Sequence, residues 1–233
     1  MNEFLLIINI LIIYSFTVLA GKLFGKSGIS AWIAISTILA NIEVLVLIDA
    51  FGMNMTLGNI LFASTFLATD ILSEVYGQKT SKAGANIGIM ASVSFLIMIL
   101  IWPHYIPAEN DLAFGHLTAL FEIAPRTLLA SLIAYIVVER FDIFAYHFIW
   151  KKTFVKTGDR KSLLWLRNNL ATLLSQLINS ILYTFLAFYK VYDSKTLTEI
   201  ILSGFAIFAV TSILDTPFVY LARRIIKSDD AKA

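Results

Sequence analysis

The chain has 233 residues, 58% of them apolar and only 15% charged, with a mean hydropathy of +0.80. An ordinary soluble domain is about 25% charged, so a single water-facing fold is excluded and the solvent around most of the chain is lipid. The 18 basic and 16 acidic residues nearly cancel, which gives no ground for a nucleic-acid partner, and the lack of cysteine excludes disulfides, thiol chemistry and Cys-type metal sites.

The opening run MNEFLLIINILIIY lacks a basic leader and a convincing cleavage site, so no cleaved signal peptide is expected. Seven apolar segments follow in order: Phe4–Ala20, Ile29–Phe51, Leu57–Ser73, Ala83–Pro103, Arg126–Trp150, Asn169–Tyr189 and Leu197–Ala222. Most reach the ~20 residues a helix needs to cross ~30 Å of hydrocarbon. The third is short and ends in charge; the fifth is interrupted by Glu139, Arg140 and Asp142. Of the 18 Lys and Arg residues, 14 fall in alternate connections: Lys22–Gly28, Glu74–Lys82, Lys151–Arg167 and the tail after Ala222. The positive-inside rule then predicts an outer N-terminus and a cytoplasmic C-terminus. The sequence therefore predicts an all-α polytopic membrane protein, one domain over residues 1–233, with six or seven transmembrane helices. Trp102, Trp150 and Trp165 sit where interfacial aromatic belts belong. The outer loop His104–Glu122 holds turn formers and is expected to carry a short re-entrant or interfacial stretch.

Several motifs have a plain reading. Ala20–Ser27 fits a relaxed phosphate-binding loop, but that chemistry needs a preceding strand, and membrane segments on both sides favour a short basic turn. His104, His116 and His147 have no metal-ligand spacing, and no nucleophile–His–acid arrangement is visible. No metal site, cofactor or enzymatic activity is expected. Gly84, Gly88 and Ser92, with Ala130 and Ala134, have the small-residue spacing that lets helix backbones approach in lipid.

The informative residues are polar groups at membrane depth, where an ionised side chain costs roughly 2.5–3.5 kcal/mol on insertion scales. They are Glu43 and Asp49 in the second segment, Asp70 in the third, Glu139, Arg140 and Asp142 in the fifth, and Asp215 in the seventh. Asp49 is near the outer end and can reach water. Glu139, Arg140 and Asp142 can satisfy one another or a neighbouring helix. Asn169, Thr172, Gln176 and Asn179 step along one face of the sixth segment, extended by Tyr183, which suits either interhelical hydrogen bonds or a polar pocket. Asp70 and Glu74 share a helix face in TDILSEVYGQK, where like charges repel. Asp70 is the deeper of the two; a second ligand and a solvated helix end both remain open for Glu74. Gly77 reads as a helix stop.

Three blocks carry a family resemblance. TFLATDILSEVYGQKTSKAG resembles the acidic signature of the queuosine-precursor transporter family, also described as vitamin-uptake transporters. PRTLLASLIAYIVVERFD (Pro125–Asp142) is similar to its Arg-led helix, and LRNNLATLLSQLINSILYTFLAF (Leu166–Phe188) to its Ser-Gln helix. Where the family often has an acid three residues after the Gln, this chain has Asn179. The resemblance spans roughly residues 30–222 and implies import of 7-cyano-7-deazaguanine, its aminomethyl relative or queuine for tRNA queuosine modification, across a bacterial inner membrane. In that setting Asp70 or Glu74 reads the base edge, and Gln176 and Asn179 complete the substrate site. Glu43, Arg126, Glu139 and Asp215 are left for proton coupling or structure. The partners implied are the deazapurine and the bilayer, with a homo-oligomer or separate energising ATPase subunits as further options. Two rivals stand beside this reading: the substrate-binding subunit of an energy-coupling-factor-type importer, and a non-transporting membrane scaffold subunit.

Overall fold

A computed structural model describes residues 1–122, 125–159 and 162–227. The order is α1 (Asn2–Glu43), β1 (Leu47–Ala50), β2 (Met53–Thr56), α2 (Asn59–Tyr76), α3 (Gln78–Ile101), a 3-10 turn (Trp102–His104), α4 (Phe114–Glu122), α5 (Pro125–Thr157), α6 (Leu164–Phe188) and α7 (Ser194–Ile225). The expected all-α membrane architecture is present. Among the described residues four helices, α1, α3, α6 and α7, are long and apolar enough to cross a membrane by length and composition. The other two long helices, α2 and α5, hold the inward acids described below, and those acids are what dilute their apolar character.

The 42-residue α1 is two helical arms rather than one continuous helix. It breaks at Gly25 (φ 61°, ψ −146°), a conformation open to glycine and strained for any side chain. The two arms fold back on each other: Phe16 stacks on Trp32 at 5.6 Å, and Asn2 Nδ2 donates to the Asp49 carbonyl at 2.8 Å. The predicted Lys22–Gly28 loop is thus a one-residue reversal, and a helix stands where a phosphate-binding loop needs a strand. With this hairpin, all seven predicted segments have helical counterparts. The second differs at its end, because residues 47–50 leave the helix for a small antiparallel β-hairpin with residues 53–56.

The α2 helix is the centre of the bundle. It packs against α1, α3, α5 and α7, and every residue from Ile60 to Ser73 is buried. A helix enclosed by protein needs no lipid-facing surface, which explains why this segment is short and tolerates acids. Gly77 (φ 83°) turns the chain directly into α3, as the sequence predicts. The small residues of α3 seat that helix: a Cβ on Gly84 would lie 2.5 Å from Leu72, and one on Gly88 would lie 2.2 Å from the Tyr135 hydroxyl. Ser92 Oγ accepts from Asn41 Nδ2 at 2.9 Å.

The two ends of the bundle differ. At one end lie the Gly25 reversal, the Gly77 turn, the start of α6 and the end of α7; Tyr76 donates to the Lys227 carbonyl there. This end carries the basic connections, although Arg160, Lys161 and Lys232 fall outside the described residues. At the other end lie the β-hairpin, α4 and the α6–α7 turn. The loop expected to carry a short re-entrant or interfacial stretch contains α4, held by Phe121 against Phe95 and Trp102. Asp193 caps α7 by accepting from Thr196, whose hydroxyl holds the carboxyl below its usual range.

Candidate functional site

The inner face of α6 organises the site. Its buried residues pair off at each turn: Arg167 and Asn168, Ala171 and Thr172, Ser175 and Gln176, Asn179 and Ser180, then Thr184 and Ala187. The polar stripe is therefore wider than the single row of Asn169, Thr172, Gln176 and Asn179 read from the sequence. Asn169 sits at its margin and donates to the Thr216 hydroxyl at 2.6 Å and to the Trp165 carbonyl. From Asn179 to Arg167 the stripe covers about 18 Å along the axis, and it meets three different environments.

Toward the β-hairpin end, α6 lines a cavity of about 490 Å³. Asn179, Ser180, Tyr183 and Thr184 form its α6 wall, and aromatic residues including Phe62, Phe188 and Tyr192 enclose it. The size and the mix of apolar walls with few polar groups suit a small planar ligand. Ser180 Oγ is buried and has no hydrogen-bond partner among the described residues. Asn179 Nδ2 donates to Gln176 Oε1 at 3.3 Å, so Gln176 joins the cavity to the layer beneath it.

One turn further on is a layer of buried acids from three helices. Thr172 donates to Asp70 Oδ2 at 3.2 Å, Ser175 to Asp142 Oδ1 at 2.7 Å, Thr69 to Glu139 Oε2 at 3.3 Å, and Asn168 Nδ2 to Asp215 Oδ1 at 2.7 Å. All four acids are at most 1% exposed. Asp70 lies within electrostatic reach of Asp142, Asp215 and Glu139. Every donor to the layer is neutral, and among the described residues no Lys or Arg forms an ion pair with it. Pro217 follows Asp215 closely and interrupts the hydrogen-bond ladder of α7 at this level.

At the basic end Glu74 is fully engaged. Arg167 Nη2 lies 2.7 Å from Glu74 Oε2, Arg223 Nη1 lies 3.1 Å from Oε1, and the Tyr146 hydroxyl donates at 2.8 Å. Its side chain is 2% exposed, which overturns the solvated-helix-end reading. Arg167 is completely buried and stacks over Trp150 at 4.4 Å. The sequence reading counted Arg167 in a basic loop and missed it; the cue was its position just inside the Ser-Gln helix, where a buried partner for Glu74 is needed.

Gln176 and Asn179 contact each other, and Asp70 meets α6 at Thr172, one turn from Gln176, while Glu74 is engaged separately by Arg167 and Arg223. Glu139 and Asp215 belong to the acid layer. Of the two expected options for Glu139, Arg140 and Asp142, one another or a neighbouring helix, Arg140 takes the second: it faces outward and donates to Asn86 of α3 at 3.0 Å. The neighbours of Glu139 on α5 point to opposite faces, and periodicity alone left their pairing open. Arg126 donates to the Leu186 and Tyr189 carbonyls at 3.1 and 2.7 Å, closing the C-terminal end of α6. Glu43 lies at the end of α1, away from the acid layer. Asp142 and Asn168 enter the site although they were not among the residues assigned to it from the sequence.

A bundle of apolar-faced helices enclosing a polar stripe and a cavity defines an integral membrane protein with a polar interior. A sequence profile described as "Putative vitamin uptake transporter" matches residues 56–222, and the chain belongs to that transporter family. It is 32% identical over 209 residues, covering 90% of this chain and 89% of the relative, to a Bacillus subtilis (strain 168) protein named "Probable queuosine precursor transporter". No solved structure matches.

Proposed function

We propose that the chain imports a queuosine precursor, a 7-deazaguanine base, across a bacterial cytoplasmic membrane. The name of the Bacillus relative supports the substrate class. The observation that carries the reading is the aromatic-walled cavity with Asn179 and Ser180 on one side, on a polar α6 stripe that continues through Gln176, which Asn179 contacts, to Thr172, which contacts Asp70. A guanine-like edge offers N1–H and an exocyclic amine, which one carboxylate accepts together; amide side chains answer the ring carbonyl. Tyr183 or Phe62 provides a face for stacking. Asp70 is the base-edge acceptor in this reading, because it is buried on α2 against the α6 stripe at Thr172 while Glu74 is committed to Arg167.

The cavity reaches the β-hairpin end, and the Glu74–Arg167–Arg223 cluster closes the basic end. By the charge rule the first is the outer side, so this conformation is outward-facing, and delivery requires that cluster to part.

The test is accumulation of labelled 7-deazaguanines in cells unable to make them. Expression of the chain restores accumulation in this reading, and unchanged accumulation rejects it. A scaffold subunit would leave accumulation unchanged. Loss of uptake on deletion of a separate ATPase would favour the energy-coupled arrangement instead.

A further inference from the structure

We infer that the outer groove between α3 and α5, in the basic half of the bundle, binds an anionic phospholipid whose phosphate is held by Arg140 and Lys82. The site lies on the outside of the bundle, so it does not depend on which solute the interior carries.

The outward face of α5 reads Ile133, Val137, Arg140, Phe144 and Phe148, in steps of 4, 3, 4 and 4, and all five are exposed. Four of them are apolar, as a lipid-facing stripe requires, and Arg140 interrupts it. Across the groove on α3, Asn86 is exposed beside Ile87 and Met90. Asn86 lies about 12 Å along α3 from Gln78, so the guanidinium that meets it stands inside the hydrocarbon. A permanent charge at that depth needs a partner. Asn86 Oδ1 accepts one N–H at 3.0 Å and is neutral. Glu139 and Asp142 are buried on the inner side of α5, and among the described residues no acid forms an ion pair with Arg140 or Lys82.

The groove stays basic toward the helix ends. Lys82, one turn from Asn86 on the same face of α3, is exposed and lies within electrostatic reach of His147 on α5. Beyond it the groove opens into a hollow of about 330 Å³ lined by Gly77, Gln78, His147, Trp150, Lys151 and Phe154. His147 Nε2 is buried without a hydrogen-bond partner among the described residues. The order from the membrane outward is thus a deep guanidinium, an ammonium one turn nearer the surface, and a polar hollow with Trp150 at headgroup level.

The occupant must bring negative charge for Arg140 and apolar surface for Phe144 and Ile87. A phospholipid brings both. The guanidinium fork suits a phosphate, side-chain snorkelling and local thinning of the bilayer bring the two together, and basic pockets between helices on the cytoplasmic side suit anionic headgroups. Free phosphate has no apolar part to cover that depth. A second copy of the chain does not supply the counter-charge: among the described residues every exposed acid lies in a connection, in the β-hairpin or within about two turns of a helix end.

The experiment is native mass spectrometry of the purified full chain offered equal amounts of phosphatidylglycerol and phosphatidylcholine with matched acyl chains. Choline sets a further cation beside Lys82 and Lys151, whereas phosphatidylglycerol is net negative. Bound lipid is expected to favour phosphatidylglycerol at least about tenfold, the combined effect of two cations near the surface. Arg140→Gln keeps a donor for Asn86 and removes the charge, so the preference is expected to fall toward one. Lys82→Gln is expected to lower it as well, and Lys195→Gln, at the far end of the bundle, to leave it unchanged. No preference in the unaltered chain overturns the inference, as does a preference that neither Arg140→Gln nor Lys82→Gln changes, or one that Lys195→Gln lowers as much. Inorganic phosphate that binds without lipid and is lost in Arg140→Gln would make the ligand the free ion, and a lipid-free dimer lost in Arg140→Gln would make it a second copy; either result overturns the lipid site. Lys82 is exposed near a helix start, so its variant decides the matter even where Arg140→Gln does not fold.

Discussion

Asp70 and Glu74 stand one helical turn apart on α2 and do different work. Asp70 accepts from the Thr172 hydroxyl and lies among other buried acids, with no arginine or lysine ion pair among the described residues. Glu74 meets two arginines and a tyrosine. Replacing Asp70 by Asn keeps the size and removes the bidentate acceptor, so uptake is expected to fall at least about tenfold with normal membrane abundance. Unchanged uptake at equal abundance removes Asp70 from the site. Arg167→Ala has another signature. It leaves Glu74 buried with much of its charge compensation gone, which costs about 3–5 kcal/mol for a buried pair. A clear fall in the thermal midpoint of the purified protein is expected. The double variant Glu74→Gln/Arg167→Gln should recover part of that loss, because neither charge is then stranded; a double variant no more stable than the single one contradicts the pair. The depth of Asp70 was legible in the sequence because Ile71 and Leu72 follow it. The engagement of Glu74 was not, because its partner lies 93 positions away and nothing local announces it.

At the scale of elements, α6 and α3 do opposite jobs. The α6 helix presents at least one buried polar residue at each turn from Arg167 to Thr184, and these meet α2, α5 and α7 and run from the Glu74 cluster past the acid layer to the cavity. The α3 helix presents small residues, and its close fit is the reason they are small. Gly88→Ala places a methyl group against the Tyr135 hydroxyl, 2.2 Å away in the present arrangement, and overpacking of this kind typically costs about 1–3 kcal/mol. Detergent-solubilised Gly88→Ala is therefore expected to melt below the parent protein, whereas Gly115→Ala, where an added Cβ meets nothing, should melt with it. Equal melting of both variants contradicts the packing role of Gly88. The small-residue stripe and one row of the polar stripe could be read from spacing. The second row could not, since Ser175 and Asn168 gain meaning only from Asp142 and Asp215 on other helices. The β-hairpin was missed for a related reason: residues 47–50 are apolar apart from Asp49 and continue a helical run until Phe51 and Gly52 reverse the chain with positive φ.

For the whole molecule, hydropathy and basic-residue bias already defined a multi-pass membrane protein, because lipid demands satisfied backbones and apolar outer faces. Helix adjacency came only with tertiary packing, which sets α2 at the centre and folds the arms of α1 together. The orientation is directly testable, since the native chain has no cysteine and single cysteines are unambiguous reporters. A cysteine at Ala108 should react with an impermeant thiol reagent added outside intact cells, and one at Gly158 only after the membrane is opened. The reverse pattern contradicts the assignment of the cavity to the outer side. Transport by this chain alone is tested most directly by purifying it, reconstituting it into liposomes and measuring entry of labelled 7-deazaguanine. Time-dependent entry that needs the chain and is lost in Asp70→Asn is the expected result. Liposomes containing the folded chain that take up no more base than empty ones would contradict it.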